Sequence, residues 1–246
     1  MLEKGTLMLL FCLNLIFFPW LEGTAVLKGE NQVHLKDWFI DEPFFPFAHG
    51  SLAACTSYCI TMDESMSMFY NGAAQRCICI NTGYIERPSA LGQSVAGWNY
   101  YLILDERCPR ESGYVYSKIF HSCYKFHKKN SSLSYDDYST ICENEGGELM
   151  KIDSEKKQQH IADFLDQFEY TKLIMFQGHH NTSELHWYYN DGSIMSYFNW
   201  HPSQPDVSLL YDEEAIGMKS YDGYKWHDIW FNFKRAFLCE RRILEY

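Results

Sequence analysis

Three short clusters near the end of the chain place side-chain oxygens at close spacing: Gln204-Pro205-Asp206, Asp212-Glu213-Glu214 and Trp226-His227-Asp228. A hard cation such as calcium takes about 6–8 oxygen ligands gathered from separate loops. These clusters can supply much of such a set if folding brings them together. A looser group, His179, His180, His186, His201 and His227, offers zinc as a second metal reading, with solvated loop histidines as the simpler one. Nothing in the chain reads as catalysis. There is no nucleophile elbow, phosphate loop or metalloprotease helix. The carboxylate pairs Asp136-Asp137 and Glu213-Glu214 lack a flanking pattern that would argue for glycoside hydrolysis.

The elements that must position these residues belong to a chain of 246 residues with 46% hydrophobic and 17% aromatic content, ample for packed cores. A net charge of −11 argues against nucleic acid and against docking on an anionic membrane leaflet. Residues 1–25 read as a secretory signal peptide: a polar start, an apolar run from Leu7 to Phe18 too short to span a bilayer, then Gly23 and Ala25 before a cleavage point. A secreted, extracellular protein without membrane insertion is the expectation. Of nine cysteines, Cys12 leaves with that segment. Cys55, Cys59, Cys77 and Cys79 form one group and Cys108, Cys123, Cys142 and Cys239 another, which points to two disulfide-bonded domains. Cys77-x-Cys79 also admits a metal site as a minority reading.

In the first domain, residues 26–106, Ser51 to Ile60 reads as a helix with Ser51 as N-cap and with Cys55 and Cys59 on one face. Ser67–Tyr70 and Arg76–Ile80 read as strands, Cys77 and Cys79 sharing a strand face, and Gly97–Ile103 as a closing strand. A helix stapled onto a sheet follows, with three cysteine pairings open. The helix cysteines, the Phe69-Tyr70-Asn71 strand, the late cysteine strand and the Gly97-Trp98-Asn99-Tyr100-Tyr101 end resemble the PAN/apple module. That resemblance implies a small α+β domain that binds other extracellular proteins or glycans.

In residues 107–246, Ser134 to Asn144 and Ser154 to Phe168 carry helical apolar spacing, the first stopped at Gly146-Gly147. Strands are expected at Tyr114–Tyr116, Ser122–Phe126, Leu149–Ile152, Leu173–Gln177, Leu185–Tyr189, Ile216–Met218 and Arg235–Glu240. An ordered set of motifs resembles the long-form C-type lectin-like domain: Cys108-Pro109, Cys123-Tyr124, Tyr135…Tyr138…Cys142, Gly146-Gly147-x-Leu149, Asp191-Gly192-Ser193, Asn199-Trp200, Gln204-Pro205-Asp206, Trp226-x-Asp228 and Phe237-Leu238-Cys239-Glu240. The resemblance implies an α+β fold of two helices, antiparallel sheets and a long loop region, with bridges Cys108–Cys123 and Cys142–Cys239. Gln-Pro-Asp is that family's galactose-type motif and implies a cis proline. By position, Gln204, Asp206, Glu213 and Asp228 would hold calcium, and with His227 they would line a carbohydrate site for glycans or glycoproteins.

The chain departs from the family pattern in two places. His227 stands where an Asn is usual, and imidazole suits zinc or copper better than calcium. Ala215 and Phe231 replace a disulfide that braces the ligand loops. A protein-interaction or extracellular-matrix role on a decayed calcium site is therefore the alternative to sugar binding. The sequons Asn130-Ser131-Ser132 and Asn181-Thr182-Ser183 are candidate glycosylation sites.

Overall fold

The computed structural model describes residues 27–40, 46–48, 50–109, 113–128, 133–168, 173–181, 183–206, 215–230 and 235–243. The earlier part is built on a five-stranded sheet of order β1-β7-β4-β5-β3. Its strands are β1 (Leu27–Asn31), β3 (Pro46–Ala48), β4 (Ser67–Asn71), β5 (Arg76–Ile80) and β7 (Trp98–Asp105). A two-stranded ribbon of β2 (Trp38–Phe39) and β6 (Gln93–Ser94) sits beside it. Helix α1 (Leu52–Thr61) starts where Ser51 Oγ accepts from Ala54 N, as its N-cap role requires. Bridges Cys55–Cys77 and Cys59–Cys79 then pin the helix to β5. All four cysteines are thus in disulfides, which removes the minority metal reading of Cys77-x-Cys79.

The later part holds an eight-stranded sheet of order β14-β13-β11-β15-β9-β8, with β10 on β15 and β12 on β11. Its strands are β8 (Val115–Ser117), β9 (Ser122–His127), β10 (Glu148–Leu149), β11 (Ile174–Asn181), β12 (His186–Tyr188), β13 (Ala215–Lys219), β14 (Lys225–Ile229) and β15 (Ala236–Arg242). Helix α2 (Tyr135–Asn144) opens on a reciprocal cap: Ser134 Oγ accepts from Asp137 N, and Asp137 Oδ2 accepts from Ser134 N at 2.8 Å. It ends at Gly146, whose φ of 77° suits a residue without a side chain. Gly147 then passes so close to β15 that a Cβ would lie 2.5 Å from the Glu240 carbonyl oxygen. Cys142–Cys239 ties α2 to β15 across 97 residues, a closure worth about 4–5 kcal/mol in the chain-entropy model. Cys108–Cys123 is the fourth bridge.

Helix α3 (Glu155–Leu165) buries Ile161, Phe164 and Leu165 on one face. It is shorter than the expected Ser154–Phe168, because Gln167 turns its side chain back to donate to the Phe164 carbonyl at 2.7 Å. The expected Leu149–Ile152 strand shrinks to β10, and Met150 continues it singly, donating to Leu238 O and accepting from Gln177 N. Trp226-His227-Asp228, read as a loop cluster, is the middle of strand β14.

One apolar core runs through both sheets, joining Trp38, Phe69 and Leu102 to Tyr124, Phe164 and Trp226. Gly83 lies where the two parts meet: a Cβ there would come within 2.7 Å of the Val115 side chain. Polar side chains cross the same seam. Gln167 accepts from Ile85 N and Glu86 N. Lys118 donates to the Ile60 and Met62 carbonyls at the end of α1. Among the described residues no helix is long and apolar enough to cross a membrane.

Candidate functional site

Strand β14 is the edge of the eight-stranded sheet, paired on one side with β13 in register Ile216 to Asp228 and Gly217 to His227. Its other side is covered by the segment 199–204. Trp226 N donates to Asn199 O at 2.8 Å and His201 N donates to Trp226 O at 2.9 Å. The chain then turns over Pro202 and Ser203, closed by Gln204 N donating to His201 O at 2.8 Å. Proline at the second position of such a turn has its φ already set. Gln204-Pro205 is cis, as the lectin resemblance implies. Beyond it, Gln204 Oε1 accepts from Asp228 N at 3.1 Å, so the two clusters meet.

Trp226 anchors this arrangement from below. It is fully buried, its Nε1 donates to Gln158 Oε1 at 2.7 Å, and its ring packs on Phe176, Tyr197 and Trp200. Trp200 in turn meets Trp187. Aromatic side chains of β11–β15 thus fix where the polar residues above them stand.

The sequence-predicted residues take different positions around this anchor. Gln204 is half-buried, Asp206 is exposed and Asp228 is buried. Glu213 lies outside the described residues, as do Phe231 and Asn130. Ala215 is buried in the core beside Cys142 and Cys239. His227 is also buried, and its Nε2 lies 2.9 Å from Asp222 Oδ2. Its ring stacks on His201 with centroids 5.0 Å apart. Burial, followed by the Lys219 ammonium, holds the His227 imidazole below its ordinary pKa, against the opposing pull of Asp222. Its Nε2–H donates to the Asp222 carboxylate.

The five histidines do not form a zinc centre. His179, His180 and His186 lie on the β11–β12 hairpin, His180 packed on Trp187, while the parallel stack of His201 and His227 does not converge on one point. Among the described residues, the groups of His, Cys, Asp and Glu close enough to hold a metal are Cys55/Cys59/Cys77 and His127/Glu145/Cys239, and every cysteine in them is in a disulfide. Asn181 ends β11 half-buried, its Oδ1 accepting from Ser183 N and Glu184 N.

The donor set has the chemistry of a hard-cation site in part. Gln204, Asp206 and Asp228 bring oxygen, which fits calcium. His227 brings none. Sequence reasoning missed Gln158 and Asp222, which position Trp226 and His227. Gln158 sits three residues before Ile161, on the apolar face of α3, and that spacing was the available signal.

Residues 131–241, somewhat under half of the chain, match the family described as Lectin C-type domain. Chondrolectin from Homo sapiens is 26% identical over 144 residues, covering 49% of this chain and 52% of its own. Layilin from Homo sapiens is 24% identical over 137 residues, covering 48% of this chain and 36% of its own. The chain thus matches about half the length, or less, of these curated relatives. Among solved structures, a mouse scavenger receptor C-type lectin carbohydrate-recognition domain aligns at 25% identity with a TM-score of 0.43, over 50% of this chain and 92% of that one.

Proposed function

We propose that this chain is an extracellular glycan-binding protein whose C-type lectin domain holds calcium and a galactose-type sugar at Gln204, Asp206, Glu213 and Asp228. The observation that carries this reading is the hydrogen bond from Asp228 N to Gln204 Oε1, which joins two oxygen-bearing clusters far apart in sequence. Calcium bound there would supply the positive centre whose shell adjacent sugar hydroxyls complete. The protein's part is to aim the oxygens: Trp226 fixes the strand and the 201–204 turn fixes Gln204.

In this reading His227 is the weak point. An Asn amide at this position would offer an oxygen and an N–H, whereas the imidazole is committed to Asp222. His227→Asn is expected to tighten calcium about 10- to 100-fold, since a charge-assisted contact is worth about 1.5–3 kcal/mol. Titration calorimetry with calcium on both proteins, and galactose-agarose retention released by chelator, measure this. No calcium uptake by either folded protein at millimolar concentration would refute it.

The burial of His227 also favours a second reading, a protein-interaction or matrix protein using the lectin fold without sugar. The earlier part serves either one. A five-stranded sheet with a helix stapled to it by two bridges supports a PAN/apple-like module at 26–106 ahead of the lectin domain at 107–246. Such a module would engage other extracellular proteins or glycans. Four disulfides support an oxidising, secreted setting.

A further inference from the structure

We propose that the lectin domain carries a second saccharide site, independent of calcium, in the groove between α3 and the β13–β14 turn. The groove encloses about 390 Å³ and is lined by Glu155, Gln158, Asp166, Tyr197, Asn199 and Lys225; Gln158, Tyr197 and Asn199 also brace Trp226, but none of the six is among the oxygen ligands named for the Gln204–Asp228 site. That volume lies in the lower part of the range of about 300–1,000 Å³ usual for small-ligand clefts.

The unspent polar atoms define the ligand. On the α3 side, the exposed Glu155 carboxylate takes no hydrogen bond among the described residues, and Asp166 uses only Oδ1, accepting from the Tyr224 hydroxyl at 2.8 Å. On the other side, Lys225 Nζ donates to Asn199 Oδ1 and keeps its remaining protons, while the Tyr197 hydroxyl has no hydrogen-bond partner among the described residues. Acceptors thus face donors across the groove. A sugar hydroxyl both donates and accepts, so a polyol satisfies both walls at once. An anionic ligand meets two carboxylates, which sets sulfated and sialylated glycans against the site. A purely apolar ligand would strand every one of these groups.

The groove is also built in advance. Gln158 is locked by Trp226 Nε1 at one end of its amide and by the Tyr224 carbonyl at the other. A floor fixed before binding lowers the ordering cost of association. At the rim, the turn that contributes Ser220 carries Tyr221, which is 66% exposed with Lys219 Nζ 5.8 Å from its ring centroid. An exposed ring beside a polar groove provides an apolar face for the C–H side of a pyranose.

The test is saturation-transfer NMR on the full chain in excess chelator, with methyl β-galactoside, N-acetylglucosamine and methyl α-mannoside as probes and heparin fragments as the anionic control. At least one neutral sugar is expected to give transfer and heparin none. Glu155→Gln and Tyr197→Phe are each expected to weaken that binding at least fivefold. Both side chains reach solvent, and an unchanged thermal transition verifies the fold; Lys225→Gln replaces either variant if its transition moves. Absence of transfer from all three sugars at tens of millimolar overturns the proposal. So does transfer that chelator abolishes, or transfer that these variants leave unaltered. Chelator also separates this site from the calcium reading, since each can fail while the other stands.

Discussion

Gln167 is the polar side chain most committed to holding the two sheets together, and replacing it tests that directly. It is 1% exposed. Its Oε1 accepts from Ile85 N at 2.6 Å and Glu86 N at 2.9 Å, and its Nε2 donates to Phe164 O at 2.7 Å and Gly83 O at 3.3 Å. Gln167→Leu keeps the volume and removes all four contacts. Two backbone N–H groups lose their acceptor, at about 1–3 kcal/mol each when buried. Both are only part-buried, so water recovers some of this, and the carbonyls tolerate loss better than the donors. The expected destabilisation is about 2–4 kcal/mol, a fall of roughly 5–15 °C in Tm for a chain of this size. Differential scanning calorimetry reads the shift, and loss of the shared seam should also split the transition into two. Gln167→Glu sharpens the test. It retains the two accepted bonds but puts a carboxylate against two carbonyl oxygens, so it should be at least as damaging. A shift below about 2 °C for Gln167→Leu, or a neutral Gln167→Glu, would refute the account.

Two further perturbations address buried charge and acid. His160 is buried near Tyr124 Oη and Ser117 Oγ, and burial, with Lys157 and Lys156 behind it, pushes its pKa down to about 4. The unfolded chain takes up this proton near pH 6.5 and the folded chain only near 4. Stability is thus fully present above about 6.5 and falls by about 3 kcal/mol as pH drops to 4. Urea titrations at pH 7 and pH 4.5 should show much of that loss in the wild type and a smaller loss in His160→Gln; equal losses would exclude His160 as the source. Lys157 Nζ contacts both Glu240 oxygens, at 2.7 and 2.8 Å, in a pair that is almost solvent-free. Lys157→Met should cost about 3–5 kcal/mol by removing the counter-ion of a carboxylate that keeps only the Lys151 N–H, and the double variant Lys157→Met/Glu240→Leu should regain most of it. Denaturant midpoints of the two variants decide, and a double variant no better than the single one would contradict the argument.

What could be read in the sequence was whatever depends on local spacing. The caps at Ser51 and Ser154 mark their helices because each needs only its own first turn. The helix and strand cysteines of the first group announced a staple, though not which sulfur met which. Strand β1 was not legible. Leu27-Lys28-Gly29-Glu30-Asn31 has no alternation and weak strand formers, and it pairs only because β7 presents an edge. Strand β14 was hidden for the opposite reason: its polar residues looked like loop ligands, while its burial comes from a segment wrapped over it. Lys157 and His160 of α3, and Gln167 beyond its end, are polar residues to which the sequence assigns no partner, yet all are buried against partners distant in sequence. At the proposed calcium site, Gln204 and Asp228 were named by motif, but the turning of His227 to Asp222 depends on the β13–β14 hairpin, which no local pattern encodes.

The wrapping of β14 has a consequence for how freely this domain can vary. An uncovered edge strand is a template for pairing with another chain. Here the outward N–H of Trp226 is taken by Asn199, its carbonyl by His201, and the outward N–H of Asp228 by the Gln204 side chain. The segment that carries Gln204-Pro205-Asp206 is therefore also the guard that keeps one molecule from adding its sheet to the next. A change at Gln204 made to alter the proposed binding therefore also opens the sheet's border to aggregation.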